Sequence, residues 1–373
     1  MRPASRQWLR PSVRPLRGEQ TSVDTSTSPP VLVTGTTGRH GSTGAHVAAR
    51  LRSEGRQVRV LARRHSERTK QLQAMGAEVV TGDLHRRETI THALDGVRLA
   101  YFTYPIDAGV VSAAANYAAA VQESGAEVRT VVLSMGPAHP AHLSDRGKDQ
   151  WLAEEILRWA GLDVLVLRVA AAFHENLHVL HGPSVRERRV IRNCFGDARV
   201  SWINGKDAGE LAVSALLHPE RFDGPVCYPP GADEASHADI AAMITDATGR
   251  PVRFEDIDRT GWRQDLLDLA ATDPTGVINA DMADHISAVG WSIRDRGPTR
   301  PADREEVRRL IGHEPVSLGE FIARSRDAFL DGGTAAETDG AGGTQDVQDS
   351  TATMQASRTG SQNTSAGVGA AGR

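Results

Sequence analysis

The sequence predicts an α/β fold of the doubly wound type, in which helices cover both faces of a parallel sheet. Short apolar runs alternate with segments of helical spacing from residue 31 to residue 168. Three of these runs, 31–33, 131–133 and 164–167, are apolar at every position, as strands buried on both faces are. The first run leads directly into a glycine-rich loop and then a helical pattern, which is typical of a nucleotide-binding strand–turn–helix unit.

The elements follow one another in a regular order. Strands are predicted over 31–35, 57–62, 78–81, 98–103, 129–134 and 163–168. Helices are predicted between them over 42–53, 70–75, 89–94, 111–124 and 151–160, and a closing helix over 318–329. In the first helix, Val47, Ala48 and Leu51 share one face. Parallel strands joined through helices require right-handed crossovers, which gives the doubly wound arrangement.

Composition excludes several classes of protein. The chain has 373 residues, of which 39% are hydrophobic and 24% charged, with a formal net charge of -4. This balance does not suggest a nucleic-acid partner, and the basic run 185–192 is interpreted as a solvated helix face. No apolar stretch is long enough for a membrane-spanning helix. Two cysteines are too few for a disulfide framework, so a cytoplasmic location is expected.

Both ends differ from the middle of the chain. Residues 1–29 are Arg-rich and then rich in Ser, Thr and Pro, which predicts a disordered leader rather than the transit peptide that they loosely resemble. Residues 331–373 read as a disordered tail. Residues 30–330 remain for the folded part. We expect a nucleotide-binding core over about 30–172 and 198–228, and a small substrate lobe over about 173–197 and 229–330.

The glycine-rich loop predicts a dinucleotide site. Gly35, Gly38 and Gly41 lie between the first strand and the first helix. Such glycines permit a tight turn, close approach of backbone N–H groups to a pyrophosphate, and close packing of the helix. The N-terminus of the helix adds free N–H groups and a positive dipole end. Thr36, Thr37, Arg39 and His40 complete the candidate pyrophosphate loop.

The end of the second strand predicts which dinucleotide binds. Arg63 and Arg64 stand where enzymes that select NAD(H) usually place an acid to bind the ribose hydroxyls. Guanidinium groups pair with a 2′-phosphate, which a carboxylate would repel. The sequence therefore favours NADP(H) over NAD(H), while two solvated arginines remain the alternative.

The order of several motifs resembles the NmrA-like branch of the atypical short-chain dehydrogenase/reductases. The resemblance runs from residues 34–44 through Thr81-Gly82-Asp83-Leu84, Ala93-Leu94-Asp95-Gly96-Val97 and Gly161-Leu162-Asp163 to Phe173-His174-Glu175-Asn176-Leu177. Further similar stretches are Lys206-Asp207-Ala208-Gly209-Glu210 and Thr248-Gly249-Arg250-Pro251-Val252. Together they cover essentially residues 30–330.

The resemblance implies roles for individual residues. Residues 36–41 would hold the pyrophosphate and Arg63 the 2′-phosphate, whereas Asp83 and Leu84 would flank the adenine. Thr103 and Ser134 would line the cofactor at strand ends, where ligands of open α/β sheets bind. Members of this group reduce quinones, azo compounds or other small electrophiles with NADPH, or act as redox-responsive regulators with little turnover.

The Tyr and Lys pair of typical short-chain dehydrogenases is missing from the sequence. None of the four tyrosines is followed four residues later by lysine, and Arg146 and Gln150 occupy the two positions in register with the family. Two interpretations stay open: a reductase of quinone-like acceptors, and a non-catalytic NADP(H) sensor. For a reductase, a proton would come from water or a weak donor, with candidates His139, His142, Lys148 and Gln150.

The candidate substrate pocket contains Tyr104, Phe173, His174, Asn176 and Trp202. A small-molecule substrate and a homodimer are the expected partners.

Two smaller signals remain. His174-Glu175-Asn176-Leu177-His178 fits the HExxH pattern of zinc peptidases, but it follows a predicted parallel strand and lacks a third ligand at a convincing spacing, so no metal is expected. Arg168 ends a buried strand. It could lie near the cofactor or form an ion pair with Glu154 or Asp207, and the sequence leaves this choice open.

Overall fold

The protein is described by a computed structural model over residues 28–36, 43–273 and 278–330. Seven strands form its main sheet: β1 (Val31–Val33), β2 (Val58–Ala62), β3 (Glu78–Thr81), β4 (Leu99–Phe102), β5 (Arg129–Met135), β6 (Asp163–Val169) and β10 (Val226–Cys227). Their spatial order is β10-β6-β5-β4-β1-β2-β3, and all neighbours are parallel. This order confirms the predicted doubly wound α/β fold, because the chain reverses direction across the sheet on either side of β1.

Helices pack on both faces of this sheet. Those associated with the main sheet are α1 (Thr43–Ser53), α2 (Glu67–Ala74), α3 (Arg87–Ala93), α4 (Val110–Ser124), α5 (Asp145–Trp159) and α7 (Gly205–Leu217). Val31 and Val33 pack in one hydrophobic core with α1 and α7, whereas Leu32 packs in a second core with α3, α4 and α5. β1 therefore buries both faces, which is why its sequence is apolar at consecutive positions.

Two smaller sheets lie outside the main one. β7 (Ala172–Phe173), β9 (Val200–Ile203) and β11 (Asp233–Ala235) form a three-stranded sheet, and β8 (Val190–Asn193) pairs with β12 (Arg253–Asp256). The other α-helices are α6 (Gly182–Arg188), α8 (His237–Thr248), α9 (Arg259–Thr272), α10 (Ala280–Arg296), α11 (Arg304–Ile311) and α12 (Leu318–Arg324). The division into a nucleotide-binding core and a substrate lobe stays a prediction.

Three predicted helices differ from the structure by more than three residues at one end. α5 begins at Asp145 rather than at residue 151, because the Ser144 side chain caps it by accepting a hydrogen bond from the Gly147 N–H. The predicted helix over 185–192 is confirmed for residues 185–188, which lie in α6, and wrong beyond them: Arg189 takes a left-handed φ of 54°, and β8 begins at Val190. The closing helix ends at Arg324, and a short 3-10 turn follows over Arg326–Phe329.

Within the described ranges, no helix combines the length and the apolar character that crossing a bilayer would require.

Candidate functional site

The carboxyl end of β1 is bound tightly to that of β4. The Thr34 Oγ1 atom accepts a hydrogen bond from the Thr103 N–H at 3.0 Å, and the same hydroxyl lies 3.3 Å from the Thr103 carbonyl oxygen. Gly35 has a φ of +68°, and a Cβ atom added there would lie 2.3 Å from Thr103 Cγ2. The turn after β1 therefore requires glycine both for its left-handed backbone and for the close approach of β4.

Helix α1 approaches the same turn closely. A Cβ atom on Gly44 would lie 2.7 Å from the Gly35 carbonyl carbon and 2.8 Å from the Thr34 carbonyl oxygen. At the adjoining position, the buried Tyr101 hydroxyl donates to Thr43 Oγ1 at 3.1 Å, which connects β4 to the first residue of the helix. The helix N-terminus is consequently fixed against the ends of β1 and β4, where its free N–H groups can meet an anion.

Thr36 supplies a polar atom without a partner at this position. Its side chain is buried, and within the described ranges Oγ1 makes no hydrogen bond. A buried hydroxyl of this kind is normally satisfied, so an unsatisfied one suggests a missing partner. Together with the glycine turn, it fits the pyrophosphate of a dinucleotide. The other predicted loop residues, Thr37, Gly38, Arg39, His40 and Gly41, lie outside the described residues.

The ends of β2 and β3 carry the predicted residues for the adenosine half. Arg63 and Arg64 are exposed, and neither makes an ion pair or hydrogen bond with any described residue. Asp83 is half-buried. Its backbone N–H donates a hydrogen bond to Thr89 Oγ1 at 2.9 Å, and its Oδ1 atom accepts one from the His85 N–H at 2.9 Å. Leu84 is half-buried against the core beneath α4. Two free cations and one fixed carboxylate therefore line this part of the sheet's carboxyl edge.

Tyr104 follows β4 and contacts His85, a residue that sequence reasoning missed. The Tyr104 hydroxyl lies 2.8 Å from His85 Nε2 and donates to the Ala108 carbonyl at 3.2 Å. Burial and the neighbouring Asp107 raise the pKa of Tyr104, although Arg63 opposes this shift. The phenol is therefore neutral near pH 7 and is a weak proton donor.

Ser134, at the carboxyl end of β5, belongs to a buried polar chain. Its hydroxyl donates to Glu154 Oε1, and the other Glu154 oxygen accepts hydrogen bonds from Arg168 Nε at 2.8 Å and Nη2 at 2.5 Å. Arg168 also donates to the Tyr228 hydroxyl at 2.5 Å. Of the two alternatives left open for Arg168, the structure shows the ion pair with Glu154. Burial lowers the pKa of Arg168, but the pairing with Glu154 outweighs this effect and keeps the pKa above its ordinary value.

Three of the four candidate proton donors lie in different environments. His139 is exposed, and its Nδ1 accepts the Ala141 N–H at 3.0 Å. Lys148 is exposed and forms an ion pair with Asp145 on its own helix at 3.1 Å. Gln150 is buried on α5. The structure does not bring these side chains into contact, and their roles stay predictions.

The loops after β4 and β5 are joined to α10 by contacts that the sequence did not reveal. The Ser144 hydroxyl lies 3.0 Å from His142 Nδ1 and 2.9 Å from His285 Nδ1. Asp281 accepts the Ala108 N–H at 3.1 Å and lies 3.6 Å from Arg146 Nη1. The contacts of His285 and Asp281 join residues more than a hundred positions apart in the sequence, so no local pattern could have found them. Helix α10 is thereby placed beside the loops that follow the middle strands of the sheet.

The predicted pocket residues do not share one environment. Tyr104 packs against the core of α3 and α4. Trp202 is buried in a separate core, where its Nε1–H donates to the Ala235 carbonyl at 3.2 Å. His174 is fully buried, while Phe173 and Asn176 are half-buried. Trp202 and His174 thus take part in the packing of the smaller sheets, and their role in binding a substrate stays a prediction.

The HExxH-like segment has a structural explanation. The His174 and His178 rings both contact the Phe321 ring, with centroid distances of 5.2 and 4.8 Å. Burial lowers the pKa of His174 to about 3 and that of His178 to about 4. Glu175 instead accepts the Gly205 N–H at 3.0 Å, at the N-terminus of α7. Among the described residues, no group of three His, Cys, Asp or Glu side chains could hold a metal ion.

Comparison with known proteins agrees with this architecture. The model of the NmrA-like family matches residues 27–273. The chain is 31% identical over 306 residues to a (4-alkanoyl-5-oxo-2,5-dihydrofuran-3-yl)methyl phosphate reductase of Streptomyces griseus, covering 80% of this chain and 99% of that protein. It is 28% identical over 229 residues to an NAD(P)H azoreductase of Xenophilus azovorans, covering 60% of this chain and 76% of that protein.

A solved structure shows the same fold. An NADPH-dependent quinone oxidoreductase of Escherichia coli, in complex with NADPH, superposes with a TM-score of 0.65 at 18% identity, over 79% of this chain and 99% of that chain. The family match covers more than half of the chain, and it confirms the resemblance carried by the sequence motifs. The chain belongs to the NmrA-like family.

Proposed function

We propose that this protein is an NADPH-dependent reductase that transfers hydride to a small, conjugated electrophile such as a quinone. The observation that carries the proposal is the junction of β1, β4 and α1, where Gly35 leaves no room for a side chain and the Thr36 hydroxyl has no described partner. A relative named as an NAD(P)H azoreductase and another named as a reductase support the same reaction type. Nicotinamide cofactors supply the hydride, and the protein supplies binding and orientation.

The cofactor would be held by residues from five strand ends. Residues 36–41 would bind the pyrophosphate at the N-terminus of α1. Asp83 and Leu84 would flank the adenine, and Thr103 and Ser134 would lie along the rest of the cofactor. The Ser134 hydroxyl proton is already donated to Glu154, so this residue can only accept a hydrogen bond from a ligand.

A preference for NADPH over NADH would come from Arg63 and Arg64. Both guanidinium groups are exposed and unpaired within the described ranges, and no carboxylate stands at the end of β2 to bind ribose hydroxyls. A guanidinium can form two parallel hydrogen bonds to a 2′-phosphate. The charged arginines would therefore stabilise the extra phosphate without first having to break an ion pair.

A quinone-like acceptor suits a site that lacks the Tyr and Lys pair. Such an acceptor needs mainly to be oriented against the nicotinamide, and its proton can come from water. The neutral Tyr104 phenol is a weak donor, and the exposed His139 stays a candidate proton source.

Both cysteines, Cys194 and Cys227, are free, which agrees with the reducing environment of the cytoplasm, where we place the protein.

A second candidate function is a dinucleotide-binding regulator without turnover. The missing Tyr and Lys pair favours it, since such a regulator needs binding but no proton transfer. Both candidates use the same cofactor residues, so steady-state oxidation of NADPH with a panel of quinones distinguishes them. Turnover supports the reductase, whereas saturable NADPH binding with no turnover on any quinone would support the regulator.

The choice of cofactor is tested by charge reversal at Arg63. We expect Arg63→Asp to weaken NADPH binding by at least tenfold and to leave NADH binding within twofold, because the 2′-phosphate would face a carboxylate. Arg98→Asp is the matched control, since Arg98 is exposed next to the opposite, amino end of β4. An unchanged ratio of the two dissociation constants in Arg63→Asp would contradict the assignment.

A further inference from the structure

A cavity of about 530 Å³ lies against β10, the edge strand of the main sheet. One wall is the segment from Arg221 to Pro229, which includes β10, and the other comes from Thr299, Arg300 and helix α11. The volume is within the range of small-molecule sites. None of the lining residues belongs to the proposed cofactor site or to the predicted substrate pocket, so this cavity needs an explanation of its own.

The inner part of the cavity is apolar. Phe222 and Leu310 are buried side chains of the core beneath α7, and Val226 and Cys227 are half-buried. Burial raises the pKa of the Cys227 thiol to about 11, with a further contribution from Asp223, so the thiol is neutral near pH 7. This floor can accept the hydrocarbon part of a ligand.

The rim of the cavity is cationic. Arg300 is neutralised by Glu306, which it contacts at 2.7 Å, and it donates to the Tyr228 carbonyl at 2.7 Å. Arg221 donates weakly to Ser214 Oγ and to the Leu310 carbonyl, at 3.3 and 3.4 Å, and has no ion pair with a described residue. Arg309 is exposed and makes neither an ion pair nor a hydrogen bond within the described ranges.

These charges leave an excess of positive charge at the rim. Once Arg300 and Glu306 cancel, two guanidinium groups face one remaining carboxylate of the lining, that of Asp223. Guanidinium groups bind carboxylate and phosphate oxygens through charge-assisted hydrogen bonds. An apolar floor with a cationic rim has the complementary shape and charge for a molecule with one apolar and one anionic end.

We propose that this cavity is a second ligand site, which binds a small amphipathic anion with an aliphatic or aromatic body and a single oxyanion head. The body would lie on Phe222, Cys227 and Leu310, and the head would pair with Arg309 and Arg221 at the rim. The site is separate from the proposed reductase site, and its occupation does not depend on whether the protein reduces quinones.

The proposal is tested by calorimetric titration of the full chain with decanoate, and with decylamine as a cation of the same length. We expect saturable binding of decanoate and none of decylamine. Arg309→Ala should weaken decanoate binding about tenfold, and Thr299→Trp should abolish it by filling the rim from an exposed position. Arg308→Ala is the matched control, because the neighbouring Arg308 is engaged with Glu305 and does not line the cavity.

Four results would overturn the proposal. The first is the absence of saturable decanoate binding to the unmodified chain, and the second is equal binding of decylamine. The third is unchanged decanoate affinity in both Arg309→Ala and Thr299→Trp, with thermal unfolding showing that both variants are folded. Competition by NADPH would likewise place decanoate in the cofactor site and contradict a second site.

Discussion

Two regions of this protein bury polar groups in opposite ways. At the carboxyl edge of the main sheet, Glu154 and Arg168 are buried as an ion pair whose hydrogen bonds extend to Ser134. In the histidine cluster, defined as His174, His178, His181 and His237, the imidazoles are buried among aromatic rings. There, both nitrogens of His174 and Nδ1 of His181 and His237 lack described partners.

The difference teaches how each region depends on pH. In the ion pair of the sheet edge, the hydrogen bonds and charge of Glu154 outweigh burial and keep Arg168 charged, whereas burial raises the pKa of Glu154 despite the bonds from Arg168 and Ser134. The histidine cluster has no such partners, so burial lowers the pKa of its histidines and keeps them neutral. We therefore expect the sheet edge to be sensitive to loss of a partner and the histidine cluster to be sensitive to acid.

The largest effect is expected when the ion pair is broken. Glu154→Ala leaves the Arg168 guanidinium buried without its counter-charge, which costs about 3–5 kcal/mol of unfolding free energy. Urea denaturation at pH 7 measures it. Glu320→Ala removes an exposed partner of Arg324 and should cost less than about 1 kcal/mol. A loss in Glu154→Ala no larger than that of this control would contradict the role given to the pair.

The carboxyl of Glu175 adjoins the histidine cluster in the chain, and its contribution to the free energy of unfolding has the opposite dependence on pH. Burial raises its pKa to about 7, despite the hydrogen bond from the Gly205 N–H. Because the folded chain holds this proton more tightly than the unfolded chain, stability is lost as pH rises from about 4.3 to 7. Wild type should lose roughly 3 kcal/mol more than Glu175→Gln between pH 4.5 and 7.5.

The control for Glu175 is the exposed Glu187, whose change to Gln should leave the pH profile of unfolding unchanged. If Glu175→Gln and wild type show parallel profiles, the carboxyl is ionised throughout this range and its burial has no effect on stability.

His181 tests the histidine cluster directly. Its ring stacks on Trp262 with centroids 5.3 Å apart, and burial lowers its pKa to about 3. The His181 side chain of the unfolded chain takes up a proton near pH 6.5. The contribution of this residue to the free energy of unfolding is therefore complete above this pH and is lost as pH falls below it. Between pH 7.5 and 5, wild type should lose about 2 kcal/mol more than His181→Phe. His92→Gln, at an exposed position, should behave as wild type, and identical losses in His181→Phe would show that this histidine is not held neutral.

The smallest effect is expected at Thr34. Thr34→Val keeps the shape of the side chain but leaves the Thr103 N–H without its acceptor, which costs about 1 kcal/mol. Chemical denaturation compares this variant with Thr81→Val, an exposed threonine at the end of β3. A loss no greater than in the control would mean that the connection between β1 and β4 does not depend on this hydroxyl.

Much of the fold could be predicted because local sequence patterns determine its main elements. The apolar runs of β1, β5 and β6 indicate strands buried on both faces, and the structure confirms them. The start of α5 was missed since Asp145–Gln150 is polar and contains Gly147, so it shows no apolar periodicity. The strand β8 was missed because its partner β12 lies some sixty residues away in the sequence, and only this pairing makes an extended Val190–Asn193 favourable.

The site was predictable at strand ends and less so elsewhere. The motif around Gly35 lies at one turn of the chain, and its left-handed backbone is a local requirement for glycine, whereas the close approach of Thr103 depends on the fold. The contacts of His85, Asp281 and His285 join different segments of the chain, and neither the charge pattern nor the residue spacing predicts them. The role of Glu175 as an acceptor for the N-terminus of α7 likewise depends on a residue thirty positions away.

The central claim is that the turn after β1 and the free arginine after β2 together bind NADP(H). Calorimetric titration of the full chain with NADPH and with NADH tests it most directly. We predict saturable binding of both, with NADPH at least tenfold tighter. Absence of saturable binding for either dinucleotide at millimolar concentration would contradict it.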